Sequence, residues 1–151
     1  RGHGIDVLLA TGIDAKGAVL ISSTRNRVGL FNSHIWSIAR RHDAHVLDVW
    51  GMRSLRDLRM WSGDRIHLLA EGHRRVAQAA LVGLGQAPDD DAWDDPLTPL
   101  PAPPAIEKLG TDAAWFREHA YPWATRRLRG RSSGDQRVAK QPEYVSVERR
   151  A

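Results

Sequence analysis

Asp64 and His67 stand three residues apart in the stretch Met60-Trp61-Ser62-Gly63-Asp64-Arg65-Ile66-His67-Leu68-Leu69-Ala70-Glu71-Gly72-His73. A carboxylate at that spacing can orient an imidazole and stabilise its charged form. The ring is then free to act as a general base on a hydroxyl. A surface turn that places a charge at a helix N-terminus has the same pattern. His73 follows His67 by six residues. That spacing does not match the His-x-x-x-His arrangement that sets two rings on one helix face, so Asp64, His67 and His73 do not read as a metal trio. No metal or organic cofactor is implied. Ser22, Ser23 and Ser62 are candidate hydroxyl nucleophiles within the chain, but none sits on a Gly-x-Ser-x-Gly elbow.

The elements that must position this pair follow from the apolar pattern. Ile5–Ala10 is a short apolar run bounded by Gly4 and Thr11-Gly12, which is how a buried strand reads. The loop Thr11–Asp14 would leave its C-terminal end, where α/β sheets bind ligands. Asp14 is then either a site residue or a turn or helix-capping Asp. Leu30/Phe31, His34/Ile35 and Ile38/Ala39 have the spacing of an amphipathic helix of three to four turns. Asn32 and His34 lie on it, within reach of a site or simply on its surface. His45–Trp50 is a second strand. Asp48 inside it needs backbone N–H donors or an Arg if it is buried, and otherwise faces solvent at the strand end. A turn and short helix over 51–58 lead into the Asp-x-x-His block. A further helix starts at Leu69-Ala70-Glu71, carries Val76, Ala77, Ala80, Leu81 and Leu84 on one face, and ends at Gly83 and Gly85.

Beyond residue 85 the composition breaks. Residues 86–106 are acidic and then proline-rich, a linker or an extended strap with Trp93, Leu97 and Leu100 as anchors. Thr111 or Asp112 could cap a helix running to about Leu128, kinked or divided at Pro122, whose apolar face would dock back on the body. Residues 107–129 form this helical extension. Residues 130–151 are polar, without periodicity, and expected to be disordered.

The 151 residues fit one domain with room for an extension. No cysteine is present, so disulfides, thiolate metal sites and cysteine nucleophiles are excluded. No apolar run approaches the roughly 18 residues that a membrane span needs. The net charge is +4 and the pI about 10.1. Residues 1–85 hold twelve Lys/Arg against seven Asp/Glu, 86–106 hold five Asp and no base, and 107–151 hold ten against six. Arg dominates, but without interleaved aromatic residues in the basic tail. This reads as a solvated surface rather than a nucleic-acid interface.

The segment Trp61-Ser-Gly-Asp-Arg-Ile-His-Leu-Leu-Ala-Glu-Gly-His-Arg-Arg-Val-Ala77 resembles the last signature block of the SGNH (GDSL-type) esterase/lipase hydrolases. Val7–Asp14 resembles the strand after that family's central helix. Val46–Trp50 resembles its last core strand, and the tail with Trp123 and Arg129–Asp135 resembles the extension of an actinobacterial branch. The resemblance implies a three-layer α/β/α flavodoxin-like fold, with residues 1–85 as its C-terminal part. It makes Asp64 and His67 the second and third members of a Ser-Asp-His triad acting on small carboxylic esters. The family's Gly-Asp-Ser nucleophile block and its Gly-x-Asn-Asp oxyanion block are not in this sequence, and the first residue is Arg1 rather than Met. The chain therefore reads as the C-terminal half of such an enzyme, with the N-terminal half of the domain as its partner. A sheet without its first strands exposes apolar faces and an open edge. The chain alone is expected to be marginally stable and nearly inactive. The alternative is a non-catalytic remnant that binds partners through its proline-rich strap and Arg-rich tail.

Overall fold

The computed structural model describes residues 4–14, 24–131, 134, 137–143 and 145. Residues 15–23, with Ser22 and Ser23, lie outside them, as does much of the tail expected to be disordered. The chain divides into two units, Arg1–Ala102 and Pro103–Ala151.

The first unit is a mixed α/β structure. Strands β1 (Leu8–Ala10) and β2 (His45–Leu47) run parallel, with Leu8 opposite His45, Leu9 opposite Val46 and Ala10 opposite Leu47. Both are shorter than the apolar runs that announce them. Helix α1 (Arg25–His42) joins them and packs on both. It is longer than its apolar stripe, because polar residues extend it at each end. Arg40, Arg41 and His42 fill the last turn, where cations interact favourably with the helix dipole. Asp43 then stops it in a left-handed conformation. Val28, Gly29, Ile35 and Ile38 are indifferent helix formers, so α1 draws its stability from packing rather than propensity.

Asn32 ties α1 to the loop that leaves β1 through two hydrogen bonds. Its side chain is buried, accepts from Gly12 N at 2.8 Å and donates to Gly12 O at 3.2 Å. Thr11, also buried, accepts from Trp50 N at 3.0 Å and donates to Asp48 Oδ1 at 3.2 Å. These bonds lock together the C-terminal ends of the two strands.

After β2 the chain makes two single 3₁₀ turns, Ser54–Arg56 and Leu58–Met60, and then helix α2 (Ala70–Gly83). Gly85, at φ +75°, ends α2 in a Schellman turn, with Gln86 N donating to Leu81 O and Gly85 N to Val82 O. Gly83 lies against β2: a Cβ there would sit 2.5 Å from Val46 O, so only glycine allows the approach.

The core is small. Leu47, Met52, Leu55, Met60 and Ala79 are buried, with Leu8, Val76, Trp93 and Leu97 against them. Apolar side chains elsewhere in the unit stay open, among them Ile5, Leu30, Phe31, Ile66 and Leu69.

Residues 89–98 run back across this core. Asp94 accepts from Ser54 N and Ser54 Oγ, both at 3.0 Å, and from Arg53 N at 3.1 Å. Arg75 donates to Trp93 O and Asp95 O at 2.9 Å, Gln78 pairs with Asp89, and Arg59 reaches Thr98 O at 2.8 Å. Trp93 and Leu97 anchor the segment, whereas Leu100 is exposed.

In the second unit helix α3 (Ala105–Trp115) starts six residues before Thr111, so Thr111 and Asp112 lie inside it rather than at its cap. Pro104 occupies the cap position. A π-helical turn (Phe116–Ala120) leads into α4 (Tyr121–Leu128). Pro122 cannot donate to the carbonyl four residues back, and the wider turn just before it accommodates its ring.

Asp94 satisfies three donors on and beside Ser54, a residue with no exposed surface. Asp94→Ala should therefore cost about 1–3 kcal/mol locally and speed amide exchange at Arg53 and Ser54 by about tenfold or more relative to α2 amides. Unchanged exchange at both would show that the strap does not hold this turn.

Candidate active-site loop

Residues Trp61–Leu68 form a closed loop between the second 3₁₀ turn and α2. Trp61 and Leu68 pair as an antiparallel bridge. Ser62 N donates to His67 O at 2.7 Å, and Leu69 N donates to Met60 O at 2.8 Å. Two packing contacts fix the base of the loop. Trp61 Nε1 donates to Leu55 O at 2.8 Å. Gly72, on the first turn of α2, lies so close that a Cβ would stand 2.6 Å from Met60 O. Arg65 at the tip has φ +58°, an uncommon conformation for a residue with a side chain.

The loop is organised around one carboxylate. Asp64 Oδ1 accepts from Ile66 N and His67 N, each at 3.0 Å, and from the Ser62 hydroxyl. Asp64 Oδ2 meets His67 Nδ1 at 2.5 Å. The Ser62 hydroxyl, then the His67 ring, then the two backbone N–H groups hold the Asp64 carboxyl well below the usual carboxylate range. An ionised Asp64 only accepts, so Nδ1 of His67 carries the hydrogen. The lone pair of the neutral ring is then on Nε2. The His67 side chain is 78% exposed and that of Asp64 27%. The arrangement is an oriented, solvent-facing base on a braced loop.

The other residues singled out by sequence go elsewhere. Ser62 donates to Asp64 and is thereby committed to the carboxylate. Asp14 is an ion-pair acceptor: its side chain is 2% exposed, Arg25 Nε lies 2.6 Å away and Arg56 Nη2 3.6 Å. The same Arg25 guanidinium stacks over Trp50, 5.1 Å from the ring centroid. Asp48 is exposed and held by the Thr11 hydroxyl and Gly51 N, not by an Arg. Asn32 ties α1 to the strand-end loop, and His34 is exposed on the same helix. His73 is exposed on α2. Among the described residues no three His, Asp or Glu side chains converge as a metal site.

Sequence reading missed the part played by Ser62 as a partner of Asp64, although the Ser-x-Asp spacing is a local turn signal. It also missed Asp94. No family model, curated protein or solved structure matches the chain.

The depressed Asp64 pKa has a defined consequence for pH. The carboxylate contribution to the loop is fully present above the ordinary Asp range, near 3.8, and is lost only as pH falls through the lower folded value. The amide resonances of Ile66 and His67 should show no titration step centred near the ordinary Asp value, and Asp64→Asn should shift both. A titration of these amides with a midpoint near 4 would show that the four-donor cradle is not formed.

Proposed function

We propose that this loop is the acid–base part of a serine-esterase site of the SGNH type, acting on small carboxylic esters. Asp64 orients the ring, and Nε2 of His67 takes the proton from a serine hydroxyl as that oxygen attacks the ester carbonyl. The protonated ring then gives the proton to the departing alkoxide. Water repeats the attack on the acyl-enzyme and releases the acid. In this reading the nucleophile and the oxyanion donors come from polypeptide outside these 151 residues, since no Gly-Asp-Ser or Gly-x-Asn-Asp block occurs within them.

The observation that carries the reading is the contact of His67 Nδ1 with Asp64 Oδ2 at 2.5 Å on a side chain that is 78% exposed. The surroundings add support. In a parallel ladder, residues alternate in the edge they serve. Val7 O and Thr11 N bond to β2, so Leu8 and Ala10 turn their peptide groups to the opposite edge. That edge suits further parallel strands of a flavodoxin-like sheet, and Ile5, Leu30 and Phe31 are exposed apolar side chains of the same unit. The rival reading, a non-catalytic binding module, would work through the exposed proline-rich residues 99–104 and the Arg-rich tail, since the acidic residues 89–98 bind the chain's own core.

The test is made on the complete gene product. A Gly-Asp-Ser block should be encoded upstream in the same frame, and that protein should hydrolyse p-nitrophenyl acetate or butyrate. His67→Ala should then lower kcat on the order of 10⁴-fold or more. An upstream frame without that block, or a His67→Ala enzyme of undiminished kcat, would sink the proposal.

A further inference from the structure

The second unit carries an apolar stripe that its helical geometry keeps in line. Ile106, Leu109, Ala113 and Phe116 follow the three- and four-residue steps of one helix face. The next member of the stripe, Tyr121, comes five residues on. In a regular α-helix it would rotate off the face. Here Tyr121 N donates to Phe116 O through the π turn, and that bond spans five residues. The stripe then continues through Ala124 and Leu128 at regular steps. Its large members are open: Ile106 is 79% exposed, Leu109 66%, Tyr121 57% and Leu128 88%. None of the residues of α3, the π turn or α4 is buried.

Charge and aromatic content say what could cover it. From Arg117 to Arg131 the chain holds five Arg and one acid, Glu118. Four of these, Arg126, Arg127, Arg129 and Arg131, cluster at the end of the stripe. Trp115, Phe116, Tyr121 and Trp123 lie along the same segment, and indole and phenol rings favour the boundary between hydrocarbon and water. An apolar face with bordering aromatics and guanidinium groups beside it matches a helix lying in the plane of a lipid interface. Among the described residues no helix is long and apolar enough to cross a bilayer.

We propose that residues 105–131 bind the surface of an anionic lipid bilayer, the stripe entering the headgroup boundary and the arginines meeting lipid phosphate and carboxylate groups. This does not rest on the esterase reading.

The test is co-sedimentation of the 151-residue protein with vesicles of pure phosphatidylcholine and with vesicles holding 30% phosphatidylserine. At about 0.1 M salt the bound fraction partitions at least about tenfold more strongly to the anionic vesicles, and at 0.5 M salt the preference falls sharply. Phe116→Glu and the triple variant Arg126→Gln, Arg127→Gln, Arg129→Gln each weaken binding about tenfold. These residues are exposed, and an unchanged circular dichroism spectrum verifies the fold of each variant. Equal binding to both vesicle types overturns the proposal, as does binding unaffected by Phe116→Glu. Absence of binding to either, the result expected if the stripe instead packs on protein, also overturns it.

Discussion

The reach of Asp94 to Ser54 is the interaction on which the first unit depends. Ser54 starts a 3₁₀ turn too short to satisfy its own backbone, and it lies beside a core of only a few side chains. A buried N–H or hydroxyl without an acceptor costs more than a typical hydrogen bond contributes. Asp94 supplies that acceptor. The turn it holds supplies Leu55 to the core and the Leu55 carbonyl to the Trp61 indole. The Trp61 indole in turn fixes the start of the loop that presents Asp64 and His67. A carboxylate thirty residues beyond Asp64 in sequence thus supports the candidate site without touching it.

The loop itself solves a separate problem. Eight residues have no core of their own, and a histidine 78% exposed would sample many rotamers if left unsupported. Asp64 gathers two backbone amides, one hydroxyl and one ring nitrogen, so the loop conformation and the ring orientation become a single constraint. The left-handed Arg65 is the local strain that this closure imposes. Gly72 adds the complementary condition, close approach of α2 to Met60 O.

Elements marked by periodicity were legible in the sequence; those marked by distant partners were not. The apolar runs at Leu8–Ala10 and His45–Leu47, the stripe on α1 and the glycine end of α2 all have local causes. Strand β2 ends at Leu47 because Asp48 turns out of the ladder to accept from Gly51 N. Thr111 and Asp112 look like caps in the sequence, whereas helix α3 starts at Ala105, immediately after Pro104. The spacing names the Asp64–His67 pair, but it presents Ser62 as a candidate nucleophile and not as a donor to Asp64. Asp94, and the Asn32 amide on Gly12, have no local signature. One among five acidic residues in a proline-rich stretch looks like solvated charge until a partner forty residues back is in place.

The distance from Ser54 to Asp94 also has a meaning in time. A ribosome adding roughly 5–20 residues per second needs on the order of 2–8 s to pass from one to the other. From the start of that interval the nascent chain holds both strands' sequences and α1, and the Asp-x-x-His loop follows soon after Ser54, yet the acceptor for Ser54 is still lacking. Water must serve that role until the strap emerges. The strap is thus a late closure, and a chain stalled before Asp94 would expose Met52, Leu55 and Met60 to whatever quality-control machinery inspects unfinished proteins.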